Sequence, residues 1–167
     1  MMSVRVGILT VSDRSARGER PDASGPALVA AVTAQGWEVG LQAILPDDLP
    51  ALRELLASWC DSDELDVILT TGGTGFSPRD VTPEATQAVI ERPAPGLAEA
   101  MRAASSQFTS HAMLSRATAG IRRRTLIINL PGSPKGAVEN LQVVLPALPH
   151  AVQLLQDSSQ AEAGHTI

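Results

Sequence analysis

Short apolar runs alternate along the chain with longer segments whose apolar residues recur at helical spacing. The runs are VRVGILTV (residues 4–11), WEVGLQAIL (37–45), LDVILTT (65–71) and TLIINL (125–130), and breakers bound each of them, as is typical of buried strands. Strands that alternate with helical patterns of roughly 10–15 residues imply right-handed β-α-β crossovers. The pattern therefore predicts an α/β fold with a mainly parallel sheet and helices on both faces.

Six segments carry the helical signal. The first, SGPALVAAVTAQG, places Leu28, Ala31, Val32 and Gln35 on one helix face. The second, DLPALRELLASWC, does the same with Leu52, Leu55, Leu56 and Trp59. The third, TPEATQAVIE, predicts an N-cap at Thr82 followed by Pro83 in the first helical position. The others are PGLAEAMRAASSQF, PKGAVENLQVVL and PHAVQLL. The segment AGIRRRTLIINL instead predicts a hairpin that turns near residues 122–124 and adds a locally antiparallel strand.

Length, charge and hydropathy narrow the class of protein. The chain has 167 residues, enough for one domain that buries roughly 70% of its unfolded surface. We expect this domain to span residues 1–156 and the polar segment 157–167 to be a disordered tail. A net charge of −5 argues against nucleic-acid binding, which requires a basic surface. No segment approaches 18 uninterrupted apolar residues, so we predict a cytoplasmic protein without a membrane span.

Cysteine and histidine chemistry is not indicated. Cys60 is the only cysteine, which excludes an intrachain disulfide, and its place at the end of an apolar helix face predicts a core residue rather than a nucleophile. The three histidines do not cluster in the sequence, so a histidine-based metal site is not expected. The chain also contains no G-x-S-x-G nucleophile motif.

The loops that follow the predicted parallel strands are the expected place for a ligand. Parallel strands end at the same edge of a sheet, and ligands of open α/β sheets bind there. These loops read TVSDRSARGER, LPDDL, TTGGTGFSPRD and NLPGSPKG. The TTGGTG turn alone is weak evidence for a phosphate site, because it fits neither the G-x-x-x-x-G-K-[ST] motif nor the G-x-G-x-x-G motif. Four polar loops that converge on one edge are a stronger indication of a site.

Three of these loops offer groups that suit an anion. Ser12, Asp13 and Arg14 fit a phosphate or a polar heterocycle, with a solvated loop as the alternative. The turn from Gly72 to Gly75 contains more glycine than a tight turn needs. Lys135 is the single lysine beside twelve arginines, and we predict that it contacts phosphate as a compact point charge. Chance placement at a solvated helix start explains Lys135 equally well.

Two aspartates are the candidate catalytic groups. One of Asp47 and Asp48 is expected to cap the following helix, and Asp47, which lies nearer the strand, is assigned to ligand chemistry. Asp80 is assigned to the same chemistry because Thr82 is expected to serve as the cap of its helix. Carboxylates beside phosphate-binding groups predict Mg²⁺, which takes one or two carboxylates plus substrate oxygens. General acid–base catalysis by the pair is the alternative.

Five motifs in order, GILTVSDR, LPDD, TTGGTG with SPRDVTPEAT, LSRATAG and INLPGSPKG, resemble the molybdopterin-binding family that includes MogA, MoaB and the gephyrin G domain. The resemblance covers residues 4–155, and LPDD, PRDVTPEAT and PHAVQLL together are more similar to MogA-type adenylyltransferases. It implies a three-layer α/β/α sandwich, a homotrimer, and Mg²⁺-dependent transfer of AMP from ATP to molybdopterin in molybdenum cofactor biosynthesis. It also implies the molybdenum-insertion protein as a partner.

Carried over by motif, the essential aspartates of the family fall on Asp47 and Asp80, as catalytic groups and metal ligands. The other pocket residues that the resemblance implies are Ser12, Asp13, Arg14, Gly72, Gly73, Thr74, Gly75, Ser115, Arg116, Pro131, Gly132, Ser133 and Lys135. One departure is PGLAE at residues 95–99, where relatives carry PGFGE near the pterin pocket. Leu97 and Ala98 therefore change the packing expected there.

Two other functions are compatible with these residues. A MoaB-like or gephyrin-like protein of the same fold would hold molybdopterin without adenylylating it, although the presence of both Asp47 and Asp80 favours the transferase. A phosphoester or nucleotide hydrolase would use the same loops and metal. It would need a group that activates water, for which Glu99 is a candidate.

Overall fold

The computed structural model describes residues 3–157 and contains one six-stranded sheet in the order β2-β1-β3-β6-β5-β4. The strands are β1 (Arg5–Val11), β2 (Glu38–Leu45), β3 (Val67–Thr71), β4 (Arg92–Pro93), β5 (Ala119–Arg122) and β6 (Thr125–Leu130). β1 pairs in parallel with β2 and β3, and β3 pairs in parallel with β6. β5 is antiparallel to both β6 and β4. The mainly parallel sheet with a locally antiparallel strand is therefore confirmed.

Helices cover both faces of this sheet. They are α1 (Asp13–Ala16), α2 (Ser24–Ala34), α3 (Leu49–Asp61), α4 (Thr82–Val89), α5 (Pro95–Ser106), α6 (Pro134–Val144) and α7 (Leu148–Leu155). Short 3-10 turns occupy Ser110–Leu114 and Leu145–Ala147. One hydrophobic cluster joins α2, α5, α6 and α7 to one face of the sheet, and a second joins α3 and α4 to the other. This arrangement confirms the three-layer α/β/α sandwich.

The local chemistry of the chain explains most of these elements. In β1, Ile8 belongs to one cluster and Leu9 to the other, because side chains alternate across a strand. Arg123 has a φ of +54° in the tight turn between β5 and β6, which confirms the predicted hairpin. Burial raises the pKa of the Cys60 thiol to about 12, and Cys60 packs in the second cluster, as predicted for a core residue.

Three local predictions need correction. Thr82 does not cap α4, because its hydroxyl donates a hydrogen bond to the carbonyl of Gly72 at 2.9 Å. Gln35 is exposed rather than part of the buried stripe of α2. The two-residue strand β4 was not predicted, since so short a strand shows no periodicity.

The ends of the chain lie mostly outside the described residues. The predicted disordered tail is one such region, because only Asp157 of it is described. The division of the chain into a domain at residues 1–156 and a tail stays a prediction. Within residues 3–157, no helix has the length and apolar character needed to cross a bilayer.

Candidate functional site

The loops that follow β1, β2, β3 and β6 meet at one edge of the sheet, where they line a polar cavity of about 760 Å³. The meeting follows from strand direction, because these four strands are parallel and end at the same edge. The residues of the sequence-predicted site that line the polar cavity are Ser12, Asp13, Arg14, Asp47, Gly72, Gly73, Asp80, Gly132 and Ser133.

Two consecutive glycines turn the chain into this cavity after β3. Gly72 and Gly73 have φ values of +101° and +69°, a region that favours glycine. A Cβ on Gly72 would lie 2.3 Å from the carbonyl oxygen of Val11, and a Cβ on Gly73 would lie 2.3 Å from Oγ1 of Thr82. Conformation and close packing together therefore require glycine at both positions.

Asp13 connects the loop after β1 to the loops after β2 and β3. Its Oδ1 accepts a hydrogen bond from the backbone N–H of Asp47 at 3.0 Å. Its carboxylate also accepts two hydrogen bonds from the guanidinium of Arg79, at 3.0 and 2.9 Å. The bonds from Arg79, followed by the bond from Asp47, lower the pKa of Asp13 below its ordinary value. Asp13 is therefore a carboxylate at neutral pH.

Asp47 is in the opposite electrostatic situation. Its Oδ1 is buried and accepts no hydrogen bond, and it is the one such side-chain atom within the described residues. Burial raises the pKa of Asp47, and the carboxylates of Asp13 and Asp80 raise it further. The neighbouring Asp48 accepts a hydrogen bond from Ala51 at 3.3 Å and caps α3, which confirms that one of the two aspartates is the helix cap. The ligand role of Asp47 stays a prediction.

The loop that carries Asp80 is held in place by two sets of contacts. Oδ2 of Asp80 accepts a hydrogen bond from the backbone N–H of Ser77 at 3.0 Å. Arg116 donates hydrogen bonds to the carbonyls of Gly75 and Asp80, at 2.7 and 2.8 Å, and pairs with Glu84. The guanidinium of Arg116, which the resemblance placed in the pocket, is thus occupied in fixing this loop.

The oxygen atoms around Asp47 fit a hard divalent cation. An unpartnered carboxylate oxygen beside two other carboxylates is a costly arrangement unless a positive charge compensates for it. Within residues 3–157, no group of three or more His, Cys, Asp or Glu side chains is arranged to hold a metal ion by itself. A cation bound here would therefore need ligands from water or a substrate in addition to the protein.

A second cavity of about 520 Å³ adjoins the polar cavity, with Ser133 in the lining of both. Phe76, Phe108, Met101 and Leu114 supply apolar lining, so we call it the apolar cavity. The residues of the sequence-predicted site that line it are Thr74, Gly75, Ser115, Pro131 and Ser133. Phe76 and Phe108 are 67% and 89% exposed, so large apolar side chains border this opening.

Two predicted residues line neither cavity. Arg116 holds the loop between Gly75 and Asp80, as described above. Lys135 is 86% exposed, and its Nζ lies 3.8 Å from Glu139 on the same helix. Its phosphate contact stays a prediction.

The structure also brings residues to the polar cavity that the sequence did not single out. Arg20 lines it, and so does Asp22, which accepts hydrogen bonds from the Thr10 hydroxyl at 2.8 Å and from the N–H of Gly25 at 3.0 Å. Arg79 reaches the same group of residues through Asp13. The sequence feature that could have identified Arg79 is its position directly before Asp80 in SPRD.

The PGLAE segment lies at the start of α5. Ala98 is buried and lines the apolar cavity, whereas Leu97 packs against the first hydrophobic cluster. The departure from PGFGE therefore affects the wall of the apolar cavity directly through Ala98.

The chain is similar to known proteins of one family. A family model described as "Probable molybdopterin binding domain" matches residues 7–150. The chain is 40% identical to a molybdopterin adenylyltransferase of Helicobacter pylori, over 93% of this chain and 89% of the relative. It is 43% identical to gephyrin of Dictyostelium discoideum, again over 93% of this chain, but it spans only 23% of that protein.

A solved structure is similar over nearly its whole length. The molybdopterin biosynthesis enzyme MoaB of Thermus thermophilus is 51% identical and superposes with a TM-score of 0.87, covering 93% of this chain and 98% of that one. The family model covers residues 7–150, and the adenylyltransferase and MoaB relatives each cover 93% of the chain. The chain belongs to the molybdopterin-binding domain family.

Proposed function

We propose that this protein transfers AMP from ATP to the terminal phosphate of molybdopterin and releases pyrophosphate, as a step of molybdenum cofactor biosynthesis. The observation that carries the proposal is the buried, unpartnered Oδ1 of Asp47 beside Asp13 and Asp80 in the polar cavity. The relative from Helicobacter pylori, which is named molybdopterin adenylyltransferase, supports the same reaction.

The chemistry requires alignment and charge neutralisation more than a strong base. The attacking phosphate oxygen is already anionic, so no side chain has to remove a proton from it. The site must hold two anionic groups in line and stabilise charge on the departing pyrophosphate. Arg14 and Arg20 at the polar cavity supply positive charge, and the glycines at 72 and 73 let the backbone come close to the phosphates.

Magnesium is the cation we propose for this site. Mg²⁺ binds oxygen, usually keeps water ligands, and needs only one or two carboxylates together with substrate phosphates. Asp47 and Asp80 are the residues that would hold it, and when bound it would neutralise phosphate charge. Asp13 fixes the backbone of Asp47 through the 3.0 Å hydrogen bond, and Arg116 fixes the backbone of Asp80.

The two cavities suit the two halves of the substrate pair. The polar cavity, with its acidic residues and arginines, fits the triphosphate of ATP. The apolar cavity fits a flat heterocycle, because aromatic and thioether side chains pack well against ring faces. We assign the pterin to the apolar cavity, since Ala98 of the PGLAE segment lines it. Ser133, which lines both cavities, would then lie near the phosphate groups of ATP and molybdopterin that react with each other.

The rival functions are separated by specific features. A hydrolase needs a group that activates water, and Glu99, the candidate from the sequence, is exposed on α5 and does not line either cavity. A binding protein that does not transfer AMP needs no cation for phosphate chemistry, so the unpartnered carboxylate of Asp47 favours transfer. The similarity to MoaB keeps molybdopterin binding without transfer as an outcome of the test.

We further propose that the protein is a cytoplasmic homotrimer that passes its product to the molybdenum-insertion protein. The proposal of a trimer rests on the resemblance to the family. Analytical ultracentrifugation should give a mass about three times the 17.5 kDa of the chain. A monomer or dimer at all concentrations would contradict it.

The reaction itself is tested by product analysis. The protein is incubated with ATP, Mg²⁺ and molybdopterin, and the products are identified by mass spectrometry. The proposal predicts adenylylated molybdopterin and pyrophosphate in equal amounts. Bound but unchanged pterin would indicate a binding protein, and AMP without a pterin adduct would indicate a hydrolase.

A further inference from the structure

An ion pair at the edge of the polar cavity joins the two loops that carry its acidic residues. Arg79 lies directly before Asp80 in the loop after β3, and Asp13 begins α1 after β1. Two hydrogen bonds of 3.0 and 2.9 Å connect their side chains across 66 positions of the chain. Because Asp13 also accepts the N–H of Asp47, one carboxylate contacts Asp47 and the residue that precedes Asp80.

A polyphosphate would change the balance of charge around the ion pair between Arg79 and Asp13. The carboxylates of Asp13 and Asp80 both lie close enough to Asp47 to repel its charge, and Arg79 pairs with that of Asp13. A triphosphate that enters the cavity brings several more negative charges. The guanidinium geometry of Arg79 suits two phosphate oxygens as well as it suits two carboxylate oxygens.

Exchange of partners by Arg79 would cost little. Its side chain is 65% exposed, and exposed ion pairs contribute little to stability because water screens them. The pair with Asp13 can therefore open without disturbing the core of the protein.

We propose that Arg79 is a phosphate-binding residue and that its pair with Asp13 is a latch that the triphosphate of ATP opens. When ATP binds, the guanidinium of Arg79 moves from the carboxylate of Asp13 to phosphate oxygens. The Asp13 carboxylate then lies beside Asp47 without its ion-pair partner. The inference deepens the proposed function and rests on it, since it takes ATP as the ligand of the polar cavity. It assigns to Arg79 a role in substrate binding, with Asp13 as the group that competes for it.

Metal-free binding distinguishes the latch from other roles of these two residues. ATP affinity is measured by calorimetry in EDTA for the parent, Asp13→Asn, Arg79→Gln and the double variant, and again with Mg²⁺. Asparagine retains Oδ1 as an acceptor for the N–H of Asp47. Arg17→Gln is the matched control, because Arg17 is a similarly exposed arginine of the same region that pairs with Glu19.

The latch predicts opposite effects from its two members. Arg79→Gln should weaken metal-free ATP binding about tenfold, as expected for loss of a charge-assisted contact. Asp13→Asn should tighten it about two- to fivefold, because the competing pair is gone. In the Arg79→Gln background, Asp13→Asn should tighten binding less than in the parent, because only the repulsion between the Asp13 carboxylate and phosphate is then removed. Arg17→Gln should bind ATP as the parent does.

The opposing results are equally distinct. Equal tightening by Asp13→Asn in both backgrounds would mean simple removal of negative charge, and the latch would be wrong. It would also be wrong if Arg79→Gln bound ATP like Arg17→Gln, or if Asp13→Asn showed no metal-free binding at all. Failure of the parent to bind ATP both with and without Mg²⁺ would instead overturn the proposed function, and the latch with it.

Discussion

Replacement of Asp47 by asparagine should make the metal-free protein more stable while it removes turnover. Oδ1 of Asp47 is buried without a hydrogen-bond partner, and two neighbouring carboxylates oppose its charge. Asparagine has the same shape, removes the charge, and places an amide donor beside Asp13 and Asp80. A gain in stability on substitution of a half-buried residue is the reverse of the usual result of mutation.

The magnitude follows from the burial of this one group. An unsatisfied buried polar atom costs about 1–3 kcal/mol, and we take the lower end because the rest of Asp47 is only half-buried. A gain of about 1 kcal/mol corresponds to a rise in Tm of roughly 2–4 °C for a chain of this size. Mg²⁺ with ATP should narrow the difference, since ligands stabilise the parent that binds them better.

Thermal melts of both proteins in EDTA, and with Mg²⁺ and ATP, measure these differences. Asp48→Asn is the matched control, because it changes the same charge at the neighbouring position and asparagine caps a helix as well as aspartate does. The control should melt within about 1 °C of the parent. The reasoning is refuted if Asp47→Asn melts at or below the temperature of the parent in EDTA.

Three further variants test other parts of the account. Gly73→Ala should destabilise the protein by about 1–3 kcal/mol, because φ is +69° and a Cβ would meet Oγ1 of Thr82 at 2.3 Å, whereas Gly96→Ala, with open space around it, should be tolerated in the same urea titration. Asp66→Asn should cost about 1–2 kcal/mol at pH 7, because it weakens hydrogen bonds from Arg5 and Gln156. Burial alone would raise the pKa of Asp66, but the hydrogen bonds from Arg5 outweigh burial and lower it. The stabilisation by the Asp66 carboxylate is therefore complete above the unfolded pKa near 3.9 and is lost as pH falls through the lower folded pKa. A difference in stability between the parent and Asp66→Asn that persisted unchanged at pH 2 would argue against this reasoning. Lys135→Ala should weaken binding of ATP or molybdopterin about two- to fivefold if Lys135 contacts phosphate, and affinity equal to that of the parent would end that hypothesis.

The sheet and its ligand edge were predictable because they depend on periodicity and strand direction. Each of the four predicted strands is an apolar run of a few residues with helix- and strand-breaking residues at its ends. The apolar run and its breakers lie close together in the sequence, so a short window is enough to recognise them. Once the strands were parallel, the four loops had to meet at one edge, whatever the details of their conformation. Asp47 and Asp80 could therefore be placed in one cavity without knowledge of any contact between them.

Contacts between distant segments were the part that could not be predicted. The hydroxyl of Thr82 has the position and chemistry of a helix cap, but the carbonyl of Gly72 competes for it in the folded chain. Arg116 carries the charge expected of a phosphate ligand, yet carbonyls in the loop after β3 use its donors. Arg79 pairs with Asp13 across 66 positions. No local pattern reports such partners, because they are brought together only by the completed sheet.

The most direct test of the account is a single-turnover measurement with ATP, Mg²⁺ and molybdopterin on the parent, Asp47→Asn and Asp80→Asn, with substrate affinities measured separately. If the two carboxylates place Mg²⁺ for AMP transfer, each variant should lose at least about 100-fold in the rate of adenylylated molybdopterin formation. The affinities for both substrates should change by less than about tenfold. Equal losses of rate and affinity, or variants that turn over like the parent, would contradict the claim that these aspartates serve the reaction.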